Sequence, residues 1–345
     1  MALHHSLQRL NYRCGTLALP LASLCTALRL LLISTVLAAC SRQHNDLPVQ
    51  NAVYYWRTEL RLDSTEQAFI KQHHVGKVYC RYFDVVMPTA APSHSRSESD
   101  APSPAEHEVR TPVPNATIAL NDTLPRSTVL VPTIYITEDC MHQPHPALAE
   151  KLVKRVLQMN ETNGISGVSE LQIDCDYTDR SRKVYYDFLQ EVRTQLARLS
   201  TQITAISATI RLHQLQMPPP PVDYGVLMLY NTGDPRKFHD RYSADGRLLE
   251  EGRNPLLDYR DVYPYLKWLH DYPLPLAAAY PVYQWVRHIH GVRVEHTVKA
   301  SEIIRVKRAV EQQRPQLQRS IVTYHLDKEN INRYKPEEYE TFYSH

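Results

Sequence analysis

Strand-like and helix-like segments alternate along this chain, and the alternation predicts an α/β fold, a (β/α)8 TIM-like barrel. Three observations carry that expectation. Eight short runs rich in β-branched and aromatic residues can be marked over roughly 290 residues. Between several of them, apolar residues recur at helical spacing. The third is an absence. The chain has 9 glycines in 345 residues, and neither GxGxxG nor GxxxxGK[ST] occurs. The competing doubly wound sheet, which would use such a turn for a nucleotide, has no support, and no cofactor is expected.

The elements follow in order. Val53–Trp56 reads as strand one. Ser64-Thr65-Glu66-Gln67 has capping-box spacing, and a helix is expected from there to His74. Lys77–Met87 is strand two and Ser127–Thr137 strand three. A helix over Ala147–Leu157 carries Leu148, Leu152, Val153 and Val156 on one face. Glu170–Thr178 is strand four, followed by a helix whose stripe is Tyr185, Phe188, Leu189, Val192, Leu196 and Leu199. Gln202–Leu215 is strand five, Pro218–Pro221 a stiff connection, and Val222–Asn231 strand six. Val262–His270 reads as helix, Pro275–Val286 as strand seven, Glu302–Gln313 as a polar helix and Ser320–Leu326 as strand eight. The barrel is expected to span 53–335, with 336–345 as a C-terminal tail.

Three stretches fall outside that body. Residues 88–126 are rich in Pro, Ser, Ala and Glu and contain no aromatic residue. Such a stretch buries too little apolar surface to offset its ordering entropy. It is expected to be a disordered insertion between strands two and three. Residues 1–39 combine a charged start, an apolar stretch and small residues, the signature of a secretory signal peptide. Arg29 within the apolar stretch weighs against a permanent membrane anchor. Leu37-Ala38-Ala39-Cys40 resembles the bacterial lipobox, which implies palmitate-type lipidation at Cys40, a tether over 40–52 and a lipoprotein held in a membrane. By resemblance to the common sorting rule, Ser41 rather than aspartate favours the outer membrane of a Gram-negative envelope.

Charge narrows the partners. Lys and Arg total 39 and Asp and Glu 37. Residues 1–39 hold Arg9, Arg13 and Arg29 and no acid, so removing them leaves 36 basic against 37 acidic residues. A near-neutral chain without a basic stripe argues against nucleic acid as a partner. Cys80, Cys140 and Cys175 remain after the signal, without zinc-ribbon spacing. They read as buried thiols or as one disulfide whose pair the spacing does not choose, and no metal site is built on them.

In a barrel of this kind, active sites lie at the C-terminal ends of the strands. Along Leu171-Gln172-Ile173-Asp174-Cys175-Asp176, side chains alternate, so Gln172, Asp174 and Asp176 share the inward face. Two carboxylates roughly 7 Å apart along a strand couple electrostatically, one pKa rising and the other falling. That suits Asp176 as a general acid with Asp174 as its tuner. Strand five aligns Ser207, Thr209, Arg211 and His213 the same way, with Arg211 and His213 facing the aspartates. Strand two ends at Asp84, strand three at Glu138 and Asp139, and strand six at Tyr230 and Asn231. Strand seven carries Tyr280, Tyr283 and Trp285. Aromatic faces stack on the apolar faces of pyranoses while carboxylates bind their hydroxyls, so the expected ligand is a glycan or another small molecule. Asp84, Arg211, His213, Tyr230, Asn231, Tyr280 and Trp285 are the expected binding contacts.

Leu171–Asp176, Ala277–Trp285, Val53–Trp56 and Lys77–Asp84 together resemble a group of bacterial lipoproteins with a TIM barrel distantly similar to chitinase-like glycoside hydrolases. In the chitinase family, strand four ends in spaced aspartates followed by a catalytic glutamate, and strand eight bears a tryptophan. Asp174 and Asp176 fit the aspartates, but the next alternating position is Thr178. The resemblance therefore implies one of two things. Either Asp176 takes the acid's role, or the barrel binds glycans without cleaving them, as a receptor or scaffold. A metal-dependent hydrolase using Asp174, Asp176 and His213, with His325 and Asp327, is a third reading.

Overall fold

The computed structural model describes residues 47–88, 110–289 and 292–345. The expected signal peptide, Cys40, residues 40–46 of the expected tether and residues 89–109 of the expected insertion lie outside the described residues. Eight strands form the frame: β1 Gln50–Tyr55, β2 Val75–Val86, β3 Val129–Ile136, β4 Glu170–Cys175, β5 Ala205–Ile210, β6 Tyr224–Met228, β7 Leu276–Pro281 and β8 Ser320–Tyr324. Each pairs in parallel with the next. β1 also pairs in parallel with β8, matching Ala52 to Val322. The sheet thus closes on itself, which removes its edges. This is the (β/α)8 barrel that the alternation predicts.

Five longer helices pack outside: α1 Ser64–Gln72, α2 Leu148–Thr162, α3 Arg182–Leu199, α4 Ala300–Gln313 and α5 Pro336–Phe342. α1 starts with a capping box, but one residue earlier than its sequence suggests. The Asp63 side chain accepts from the Glu66 amide, and the Glu66 carboxylate accepts from the Asp63 amide. The stripes of α2 and α3 are buried as expected, except that Leu199 at the end of α3 is half-buried. The segment around Val262–His270 is a chain of short turns rather than one helix. β1 begins at Gln50, three residues before the expected start of the barrel.

Two further expectations change. Val113–Asn115 pairs antiparallel with the end of β2, and Ala119–Leu120 pairs with Glu59–Leu60. Residues 110–126 are therefore docked on the barrel, with Ile118 buried. The supposed tail is part of the body as well. Tyr339, Phe342 and Tyr343 are buried, and the Tyr343 hydroxyl lies 2.7 Å from Thr323 Oγ1 and donates to the Ala52 carbonyl at 3.2 Å. Burying an aromatic of that size stabilises by about 2 kcal/mol, and the three rings together hold the terminal helix against the barrel.

The alternation along each strand creates two cores. Outward side chains such as Val78, Ile134, Ile173, Leu227 and Ile321 meet the helices. Inward ones form a separate cluster of Ala52, Tyr54, Tyr79, Val131, Val226, Met228, Tyr230, Ala277, Ala279 and Val322. The inner cluster mixes tyrosines with alanines. Ala277 and Ala279 of β7 leave room for the large rings of neighbouring strands to meet across the axis, which is how a close-packed interior accommodates them.

Candidate functional site

The inward face of β4 runs the length of the barrel. At its start, Glu170 accepts from Lys77 Nζ at 2.8 Å and from Ser207 Oγ at 2.5 Å. Lys77 also donates to the Tyr224 hydroxyl at 2.9 Å. One turn of the pleat higher, Gln172 contacts Thr133 and Ser207. Asp174 comes next, then Asp176 just beyond the strand. The alternation thus places both aspartates as the sequence implies.

Asp174 is 3% exposed, and its Oδ1 accepts from Thr209 Oγ1 at 2.6 Å. Its pKa is pushed up to about 6, by burial first and then by the Asp176 charge; Arg211 and the Thr209 hydrogen bond pull the other way. Asp176 has a 41% exposed side chain. Both its oxygens accept from one guanidinium, Arg211 Nε at 2.5 Å and Nη2 at 3.1 Å. This is the planar two-point pairing that arginine offers a carboxylate. Burial alone would lower the Arg211 pKa, but the Asp176 charge and hydrogen bond outweigh it and the pKa is raised. The Tyr135 hydroxyl is pushed up to about 12 by burial and then by the Asp176 and Asp174 charges.

β2 adds a second ion pair by a route the sequence hides. The register against β3 shifts between Arg81 and Phe83. The extra residue turns both Tyr82 and Phe83 outward into the helix layer, where Tyr82 donates to Asn160 at 2.8 Å. Arg81 and Asp84 therefore both serve the inner side. Arg81 Nε donates to Asp84 Oδ1 at 2.7 Å, its Nη2 bonds the other oxygen, and the Asp84 charge reaches Asp174.

Aromatic rings line the rest of the mouth. Tyr230 stacks on Tyr324 with centroids 4.6 Å apart and planes at 24°. Tyr324 also meets Tyr54 at 5.6 Å, Trp56 at 5.8 Å and Tyr283 at 5.2 Å. Arg81 lies over the Trp56 ring at 5.5 Å and Arg211 over Tyr230 at 5.9 Å. The Tyr283 hydroxyl donates to Asn231 Oδ1 at 2.5 Å. Tyr230 is 2% exposed, and among the described residues its hydroxyl has no hydrogen-bond partner.

The mouth therefore gathers Asp84, Asp174, Asp176, Arg211, Tyr230 and Asn231 of the expected residues. It does not gather the others. β5 ends at Ile210, and Leu212–Gln216 is a 3-10 turn, so the alternation is broken before His213, which is exposed on that turn. Tyr280 is fully buried on the outward face of β7, among the helix-facing residues, with burial and then the Glu311 charge of α4 raising its pKa. Trp285 opens a separate hairpin, Trp285–Ile289 with Val292–His296, and packs 6.1 Å from His296. Arg81, Tyr135, Trp56 and Tyr324 join the site without having been expected there. The metal reading fails on geometry, because among the described residues no three His, Cys, Asp or Glu side chains come together to hold an ion. Cys80, Cys140 and Cys175 are free and buried, and burial pushes the Cys80 thiol up to about 12.

No family model matches this chain, and no curated protein does. Solved structures do. A chitinase from Chromobacterium violaceum matches at 10% identity with a TM-score of 0.47, over 82% of this chain and 97% of that one. The Bacillus megaterium spore cortex-lytic enzyme SleL matches at 9% identity and 0.47, over 82% and 72%. A tamarind chitinase-like lectin matches at 9% identity and 0.45, over 86% and 99%. Chitinase-like TIM barrels are its structural neighbours. The likeness is one of fold.

Proposed function

We propose that the mouth of this barrel binds a glycan and does not cleave it. One observation carries this reading. Asp176, the carboxylate best placed to meet a ligand, has both oxygens held by Arg211. A carboxylate fixed in that way accepts hydrogen bonds from sugar hydroxyls and is not set up to donate a proton to a leaving oxygen. Asp174 is the group whose pKa allows a proton near neutrality, but it is buried and its oxygen is occupied by Thr209. Position 178 carries threonine, and Thr178 donates to Glu138 rather than facing the mouth. The partly exposed rings Trp56, Tyr283 and Tyr324 supply flat apolar faces on which pyranose rings stack. In this reading the protein is an envelope receptor, with Cys40 carrying the lipid.

The test uses the chain from Ser41 onward and an Asp174→Asn/Asp176→Asn double variant. Both are incubated with envelope and host glycans, with binding followed by calorimetry and released sugars by mass spectrometry. Binding by the wild type, weakened in the double variant and without release by either, is the expected result. Release by the wild type that the double variant abolishes would replace the receptor by a hydrolase.

A further inference from the structure

The mouth contains one carboxylate more than it can neutralise. Asp84 is paired with Arg81 and Asp176 with Arg211. Asp174 receives a hydroxyl from Thr209 and lies within the field of Arg211, which already serves Asp176. A buried negative charge without its own counter-ion is costly, and in a low-dielectric interior it acts over several ångströms. A second observation, independent of the acids, points to a missing ligand atom. The Tyr230 hydroxyl is buried and unpartnered, and it lies in the field of Asp174 and Arg211. A buried polar group without a partner calls for an explanation, and beside a carboxylate and a guanidinium a ligand atom supplies one.

Resting on the glycan-binding reading, we infer that the preferred ligand is a sugar carrying a free amine, whose ammonium sits against the open side of Asp176, donates to the Tyr230 hydroxyl and is matched by the charge of Asp174 behind. The arrangement meets three needs of an ammonium at once. It offers acceptors with lone pairs facing the mouth, a surplus negative charge, and aromatic faces that attract cations. Asp174 acts here as a positioning charge rather than as a contact. Neutral sugars stack on the same rings but leave the surplus charge unmatched.

The experiment compares two probes of equal length, the β-1,4-linked glucosamine tetramer and cellotetraose, by calorimetry at pH 7 in 0.15 M salt. The wild type is expected to bind the glucosamine tetramer about tenfold more tightly, a gap of ~1.4 kcal/mol. Asp174→Asn, which keeps shape and the Thr209 contact, should narrow the gap to within about twofold, as expected for losing one charge-assisted interaction. Asp187→Asn, on the exposed face of α3, should leave the gap as it is. Tyr230→Phe provides a second variant that folds by the same packing and should also narrow the gap. Melting curves accompany each variant. Equal affinity for the two probes, or a gap that survives both Asp174→Asn and Tyr230→Phe, overturns the inference while leaving glycan binding standing. Binding of neither tetramer removes the glycan reading and the inference together.

Discussion

The two ends of the barrel interior are built from the same kinds of residue and behave oppositely. At the N-terminal end, Lys77, Glu170, Ser207 and Tyr224 form one connected set, one cation to one carboxylate, with each oxygen of Glu170 engaged. At the C-terminal end, three carboxylates meet two guanidinium groups, and the Tyr230 hydroxyl is left over. The closed network resembles a plug that fixes the interior. The open one carries a charge imbalance, with the Tyr230 hydroxyl left over beside it. Under the proposed reading, that difference favours the mouth over the floor as the ligand site.

Breaking the floor should have the largest effect. Lys77→Met removes the cation bonded to Glu170, which is 3% exposed. Stranding a buried charge in this way costs about 3–5 kcal/mol. Chemical denaturation should show that loss at neutral pH, while protein that remains folded keeps its sugar affinity. A small stability loss would mean that the floor is not the plug described.

The mouth should respond with the opposite sign. Asp174 has a folded-state pKa of about 6, above the value of about 3.8 from which it is raised. Below pH ~4 the group is protonated in both states and contributes nothing. As pH rises from about 4 to 6, the unfolded chain releases its proton first, so the fold is progressively penalised, and above pH ~6 the penalty is constant at about 2–3 kcal/mol. Asp174→Asn removes it. The variant should therefore be more stable than the wild type at pH 7–8 and equal to it near pH 3.5, which thermal melts across that range would read. A variant less stable at pH 7 would show that Asp174 is structural, like Glu170.

The smallest effect sharpens the boundary between the cores. Tyr280 lies in the helix-facing layer and its hydroxyl has no partner. Tyr280→Phe should change stability by less than about 0.5 kcal/mol and leave glycan affinity unchanged, whereas Tyr324→Ala should weaken binding severalfold. A loss of affinity in Tyr280→Phe would return that ring to the site.

Much of this was legible in the sequence, for identifiable reasons. Strands four and five alternate polar and apolar residues cleanly, so the period of two located Asp174, Asp176, Thr209 and Arg211. Strand seven gives no such signal. Leu276–Pro281 is apolar on both faces, as expected of a strand buried on both sides. Nothing there says that the alanines face in and Tyr280 out, because the interior needs small residues beside Tyr230 and Tyr324. Strand two misleads for another reason. Its bulge inserts a residue, and the position of Arg81 depends on pairing with β3 rather than on local pattern. His213 fails because β5 ends three residues earlier, and strand ends are set by where the neighbouring connection turns away. For α5 the signal was present, since Tyr339, Phe342 and Tyr343 share one helical face after Pro336, but ten residues at a chain end read more easily as a tail.

The location of the site can be tested without knowing the natural ligand. Hydroxyl-radical footprinting would be run on the chain from Ser41 onward, with and without a saturating oligosaccharide from the glycan panel. Protection is expected at Trp56, Tyr283 and Tyr324, the partly exposed rings of the mouth. No change is expected at Met141 or Phe188, which line a separate apolar cavity of about 320 Å³ between the loop after β3 and α3. Protection at that cavity with the mouth unchanged would contradict the account.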